Sequence, residues 1–144
     1  MSGFLDIDAL ILCGGQGTRL REVLPEGTPK CMADINGEPF LEILVGLLAR
    51  QFQPERIKLS AGVGWNRIPL KLLVNGTVEP QPLGTGGAVA RAASLEYLNL
   101  SDPFFIVNGD TYCELDYAAI LESHLQAGFD ATIPYDRLYH HVGA

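Results

Sequence analysis

The chain has 144 residues, 47% hydrophobic and 19% charged, the composition of an ordinary globular protein that can bury a core without disulfides or metals. Seventeen acidic residues against ten basic ones give a formal net charge of −7, which argues against broad nucleic-acid or anionic-membrane binding and leaves room only for a local cationic site. No apolar stretch approaches the ~20 residues of a membrane span, acidic Asp6 and Asp8 surround the first apolar run where a signal peptide carries basic residues, and Cys13, Cys31 and Cys113 follow no CxxC or zinc spacing, so free, packed thiols in a reducing cytoplasm are expected.

Ile7 to Cys13 is a short run, apolar but for Asp8, ended by Gly14-Gly15, the pattern of a strand buried on both faces. Residues 14–39 are rich in Gly, Pro and charge, long for a loop and therefore a candidate functional segment. Residues 39–52 open with Pro39 at a helix start and carry apolar residues at helical spacing. Residues 56–63 and 69–75 are strand-like, and 84–98 pass from a glycine loop into an alanine-rich helix. Residues 102–110 form a second buried strand ending in turn residues. The stretch 115–128 predicts a helix stopped by Gly128, and 130–135 a final strand cut by Pro134. Strands alternating with helices predict a single α/β domain over 1–144, with a parallel sheet covered on both faces. One interval conflicts with this pattern. Only "AGVGWNRI" separates the second and third strands, whereas parallel neighbours need a connection of roughly a dozen residues or more. Either those two strands are not parallel neighbours, or the third begins later than residue 69.

Three loops carry candidate chemistry. In Gly14, Gly15, Gln16, Gly17, Thr18 and Arg19, glycines let backbone N–H groups approach an anion closely, at the carboxyl end of a strand where open α/β sheets bind ligands. Arg19 and Arg21 add forked donors suited to phosphate, and Lys30 a point charge, so a polyphosphate is one reading and a tight turn with solvated arginines the other. The segment is neither a Walker A loop, since Thr-Arg follows Gly17, nor a dinucleotide fingerprint, since Leu20 replaces the third glycine. In the second loop, 78–89, Glu79 can accept the adjacent N1–H and N2–H donors of guanine, or is a surface glutamate beside a proline. In the third, Asp110 ends an apolar strand and suits Mg²⁺, or caps a turn. His140 and His141 fit a frayed tail better than a metal site.

The ordered set "GGQGTRL" (14–20), "PKCMADINGEPFLE" (29–42), "PLGTGGA" (82–88) and "FFIVNGD" (104–110) resembles the sugar-phosphate nucleotidyltransferases, nearest to the heptose 1-phosphate and mannose 1-phosphate guanylyltransferases. The resemblance covers residues 5 to about 135. It implies a Rossmann-like three-layer α/β/α fold with a mostly parallel sheet, and transfer of a nucleotidyl group from an NTP, GTP favoured, to a sugar 1-phosphate. It assigns Gly14, Gly15, Gly17 and Thr18 to cradling the nucleotide, with Leu12 and Thr85 beside it. Arg19 would neutralise pyrophosphate charge, Lys30 bridge phosphates, Glu79 and Gly84 read the base, and Asp110 hold Mg²⁺. Family enzymes are longer, so the chain is expected to be shortened, without the sugar-binding half, its second metal-binding aspartate, and a helix between the second and third strands. A non-catalytic nucleotide-binding module, or a subunit needing a partner, is the alternative expectation. A homodimer is expected because shortened crossovers expose sheet edges.

Overall fold

The computed structural model describes residues 3–15, 23–63 and 75–134. These contain strands β1 (Ala9–Cys13), β2 (Asp34–Ile35), β3 (Glu38–Pro39), β4 (Ile57–Ala61), β5 (Asn75–Val78) and β6 (Phe105–Asn108), and helices α1 (Phe40–Leu48), α2 (Gly84–Ser94) and α3 (Tyr117–Ala127). They fall into two compact units, one ending at Cys113 and the other beginning at Glu114.

In the first unit, β1 forms where the first apolar run predicts it. A strand apolar on both faces needs a neighbour on each edge and a layer on each face. β4 pairs with it in parallel on one side, with Ile57 opposite Ala9, and β6 on the other, with Phe105 opposite Ala9. β5 adds outside β4, also parallel, giving the order β5-β4-β1-β6. This answers the conflict over the crossover in favour of the later start. β5 begins at Asn75, so the connection from Ala61 is long enough for a parallel pair. Residues 69–74, expected to be extended, lie outside the described residues.

Side chains alternate across a strand. Leu10 and Leu12 therefore share a face, and Leu10 builds a core with Ala92 of α2 and with Leu98, against which Leu12, Val89, Leu95, Leu100 and Phe104 pack. Ala9, Ile11 and Cys13 occupy the opposite face and are also buried. α1 buries Leu41, Leu44, Val45, Leu47 and Leu48. It ends before the expected residue 52, because Arg50 N–H and Gln51 N–H donate to Leu47 and Leu48 carbonyls in tightened turns. The chain then brings Phe52 beside Leu5, and the Phe52 ring meets Phe105 edge-on with centroids 5.7 Å apart. The strand expected over 102–110 behaves differently from expectation. β6 alternates half-buried and exposed residues, with Ile106 51% exposed, because it is an edge strand among the described residues rather than a strand buried on both faces.

Within the loop expected over 14–39, β2 and β3 form a hairpin. Its turn is Asn36-Gly37 with φ of 54° and 92°, and Gly37 N–H donates to Asp34 Oδ1 at 2.9 Å. Two consecutive positive φ values are what an Asn-Gly turn supplies and other residue pairs resist.

At the amino ends of the strands lies a polar cluster that the sequence did not reveal. Asp8 is fully buried and pairs with Lys58 Nζ at 3.0 Å, while its Oδ2 also accepts Ser101 N–H at 2.6 Å. Lys58 also donates to the Leu98 and Asn99 carbonyls, and Arg56 NH1 lies 3.5 Å from Asp8 Oδ1. Two buried charges hold each other only when their remaining valences are met, as they largely are here.

In the second unit, α3 starts at Asp116, whose Oδ1 accepts Ala119 N–H at 3.0 Å. It stops at Gly128, which has φ 66° and donates to the His124 carbonyl, as expected for a left-handed terminator. Residues 130–134 form no strand. Extended propensity alone does not make one, since a strand exists only through a partner's hydrogen bonds, and no described segment pairs with this one.

Candidate active site

Because β1, β4, β5 and β6 are parallel, their carboxyl ends open on the same edge of the sheet, where such folds place ligands. β1 delivers Gly14 and Gly15, β5 delivers Glu79, and β6 delivers Gly109 and Asp110. Close approach between these ends requires glycine at two positions. A Cβ on Gly109 would lie 2.6 Å from the Leu12 carbonyl oxygen and 2.7 Å from Cys13 Sγ. A Cβ on Gly14 would lie 2.3 Å from Glu79 Oε1.

Glu79 is only 3% exposed, so it is not a surface glutamate. Its backbone N–H donates to the Ala61 carbonyl at 2.7 Å, which extends the β4–β5 ladder by one step. Its side chain turns back, so that Oε2 accepts Leu83 N–H at 3.0 Å while Oε1 lies over the Gly14 backbone. Leu83 immediately precedes α2, which begins at Gly84 with φ 71°. Glycines 84, 86 and 87 thus lie in the first turn of the helix rather than in a preceding loop, and the free N–H groups of a helix start collect there.

Lys30 arises from a short 3-10 turn, Lys30–Met32, that follows the extended Pro29. Its Nζ donates to Asp110 Oδ2 at 2.6 Å, and Asp110 Oδ1 accepts the Thr111 hydroxyl at 3.2 Å. The Lys30 bond is the main reason that the Asp110 carboxyl is held below its ordinary range, with the Thr111 hydroxyl assisting. Both side chains remain substantially exposed, so the pair adds little to stability and can open towards a ligand.

A cavity of about 260 Å³ gathers Leu12, Gly14, Gly15, Lys30, Glu79, Gly84, Thr85 and Asp110. Every sequence-predicted site residue among the described residues therefore lines one space. Gly17, Thr18 and Arg19 lie outside the described residues, as do His140 and His141. A neighbouring hollow of about 790 Å³ shares Gly14, Gly15 and Glu79 and continues along Leu24 to Pro29. Together they reach the size of a nucleotide site.

The sequence did not indicate that Cys13 and Cys31 both line the smaller cavity. The neighbouring Cys31 thiol, with burial, pushes the Cys13 thiol well above its ordinary range, while Cys13 draws Cys31 down against the opposing effect of burial. Cys13 follows a strand and Cys31 a "PK" pair, and no spacing rule links them.

No group of three or more His, Cys, Asp or Glu residues is assembled for a metal among the described residues. Asp110 offers a half-exposed hard carboxylate at the cavity, while the Glu79 carboxylate there is turned to Leu83 N–H, and one carboxylate completed by phosphate oxygens and water is a normal magnesium environment. No described helix is long and apolar enough to cross a membrane.

Residues 9–142 match the model of the MobA-like NTP transferase domain. The chain belongs to that family. It is 33% identical over 121 residues to the D-glycero-alpha-D-manno-heptose 1-phosphate guanylyltransferase of Campylobacter jejuni, covering 79% of this chain and 52% of the relative. It is 33% identical over 135 residues to the catalytic subunit beta of mannose-1-phosphate guanylyltransferase from Drosophila melanogaster, covering 87% and 36%. Among solved structures, HddC from Yersinia pseudotuberculosis complexed with GMP-PN superposes with a TM-score of 0.67 at 43% identity, covering 83% of this chain and 54% of that one. The expected α/β fold with a mostly parallel sheet is thus the fold of this chain, which spans about half the length of its heptose 1-phosphate relative and of HddC.

Proposed function

We propose that the protein transfers a guanylyl group from GTP to a heptose or mannose 1-phosphate, releasing pyrophosphate. The observation that carries this is the single cavity in which Gly14, Gly15, Lys30, Glu79 and Asp110 converge from four separate segments of the chain. The relatives named as guanylyltransferases of those two sugar phosphates support the choice of substrate class.

In this reaction an oxygen of the sugar phosphate attacks the α-phosphorus of GTP, and the bond to pyrophosphate breaks in line. Catalysis of such transfers is mainly positioning and charge neutralisation. The backbone of Gly15 admits the nucleotide closely because nothing stands within 4 Å of where its Cβ would be, and Gly14 leaves room for the Glu79 carboxylate beside it. Glu79 accepts N1–H and N2–H of guanine with a carboxylate already oriented by Leu83 N–H. Uracil and thymine present a single donor between two acceptors on that edge, so a carboxylate repels them. Lys30 leaves Asp110 for the phosphates when substrate arrives, and Arg19 takes charge on the leaving pyrophosphate. Asp110, released by Lys30, would hold Mg²⁺, which supplies charge neutralisation at the α-phosphate.

The test is pyrophosphate release by the purified protein with GTP, Mg²⁺ and either sugar phosphate, compared with UTP and TTP. GTP should be preferred, and Glu79→Gln should shift preference away from GTP. Absence of pyrophosphate with every pair, from protein that remains folded, would reject the activity. An unchanged base preference in Glu79→Gln would reject Glu79 as the base reader.

A further inference from the structure

One contact of the site is already made before any ligand arrives. Lys30 Nζ donates to Asp110 Oδ2 at 2.6 Å, and the other oxygen, Oδ1, accepts the Thr111 hydroxyl at 3.2 Å. Both oxygens of the carboxylate suited to a metal are therefore engaged, one of them by a full positive charge. Among the described residues lining the cavity of about 260 Å³, Lys30 is the one cation, and Glu79 and Asp110 are the two carboxylates. We propose that Lys30 is a built-in plug: its ammonium group stands on Asp110 in place of a divalent cation, so that the free protein takes metal weakly and takes it well only after a triphosphate has drawn Lys30 away.

Three features support this. The first is electrostatic. A divalent ion approaching Asp110 meets a carboxylate already neutralised by an ammonium group at hydrogen-bond distance, and the two cations repel each other. Magnesium also gives up its water reluctantly, so a neutralised carboxylate is a poor inducement. The second is a mobile plug on a fixed base. The Lys30 and Asp110 side chains are 41% and 45% exposed, so water can replace either partner and the pair opens easily. The backbone, by contrast, is tied: Met32 N–H donates to the Pro29 carbonyl at 2.9 Å, and Ala33 N–H to the Lys30 carbonyl at 3.1 Å. Displacement is therefore a swing of the flexible lysine stem about a fixed turn. The third is that the other carboxylate of the cavity is turned elsewhere. Glu79 Oε2 accepts Leu83 N–H at 3.0 Å, and no trio of His, Cys, Asp or Glu is assembled for a metal among the described residues.

The plug makes nucleotide and metal cooperative. Triphosphate oxygens offer Lys30 more negative charge than one carboxylate does, so the ammonium group transfers to them. The transfer uncovers Asp110, and the phosphate oxygens supply further ligands of the kind magnesium prefers. Linkage makes the effect reciprocal: whatever factor nucleotide adds to metal affinity, metal adds to nucleotide affinity. A shortage of ligands in the free site would also couple the two, but that coupling would not depend on Lys30. The plug does.

The transfer of Lys30 rests on GTP binding at this cavity, which is the proposed function, whereas the plug itself is tested without nucleotide. Mn²⁺, whose unpaired electrons broaden nearby NMR signals, is titrated into the full chain while the Gly109 and Thr111 amide signals are followed. Lys30→Met should respond at on the order of tenfold less Mn²⁺ than the parent, a coupling of ordinary size. Lys30→Gln, neutral but polar, should behave like Lys30→Met, and Lys30→Arg, still cationic, like the parent. Adding Asp110→Asn to Lys30→Met should abolish the gain, which a general change in surface charge would leave in place. Equal response of the parent and the neutral variants, whether strong or absent, overturns the plug. A structure of the parent with GTP in divalent-free buffer should show Lys30 Nζ off Asp110 and on phosphate. GTP bound with the Lys30–Asp110 bond intact overturns the transfer. Failure of the parent to bind GTP, with the neutral variants still gaining Mn²⁺, would count against the proposed function and leave the plug standing.

Discussion

Gly14→Ala tests the central contact of the cavity. The new methyl would sit 2.3 Å from Glu79 Oε1, 3.0 Å from Cδ and 3.3 Å from Oε2, where ordinary contact begins at 3.4 Å. The backbone of β1 cannot retreat, because Cys13 just before Gly14 is fixed in register opposite Ala61 of β4. Glu79 must therefore withdraw by about an ångström, and that breaks its 3.0 Å bond from Leu83 N–H. A hydrogen bond to a charged group contributes roughly 1.5–3 kcal/mol, and overpacking typically costs about 1–3 kcal/mol. Partial relief of one by the other leaves an expected loss of roughly 2–4 kcal/mol. Urea denaturation measures it. The double variant Gly14→Ala with Glu79→Ala separates clash from other effects, because the methyl then enters space that the carboxylate has vacated. The two changes should be non-additive by about 1–2 kcal/mol, the double being more stable than the sum of the singles predicts. Strict additivity, or a Gly14→Ala protein as stable as the parent, would refute the packing of Glu79 on Gly14.

Lys30→Met should let the Asp110 carboxyl rise towards the ordinary aspartate value of about 3.9, read by carboxyl NMR titration; its pKa is depressed in the folded chain, so the pair's contribution is fully present above that ordinary value and is lost as pH falls through the lower folded one. The difference in stability between Lys30→Met and parent should accordingly shrink on acidification, and a difference that grows would contradict the pairing. Lys58→Met should destabilise the chain by roughly 3–5 kcal/mol in urea, because it leaves the fully buried Asp8 with only Ser101 N–H and the more distant Arg56 guanidinium to balance its charge. Adding Asp8→Asn should recover part of that loss, and no recovery would argue against a buried charge as its cause.

Much of the molecule was legible in local pattern. The apolar run ending in Gly14-Gly15, the helix stopped by Gly128 and the order of the glycine motifs each depend on neighbours within a few residues, which is the range over which periodicity and turn chemistry act. The Asn36-Gly37 hairpin was also there to be read, since Asn-Gly is a strong short-range turn signal, but the surrounding prolines and charges obscured it. Residues 130–134 carry strand-like composition without becoming a strand, because composition supplies no partner.

What the sequence determined by itself, then, was the kinds of residue present at each strand end: flexible backbone, a lysine, a glutamate and an aspartate. Tertiary structure alone decided which of them touch. Lys30 meets Asp110, Glu79 covers Gly14 and Asp8 holds Lys58. These partners lie fifty or more residues apart, and none follows a local spacing rule. They are joined because a parallel sheet brings the carboxyl ends of distant strands to one edge and their amino ends to the other, a consequence of strand order and register that no window of sequence contains.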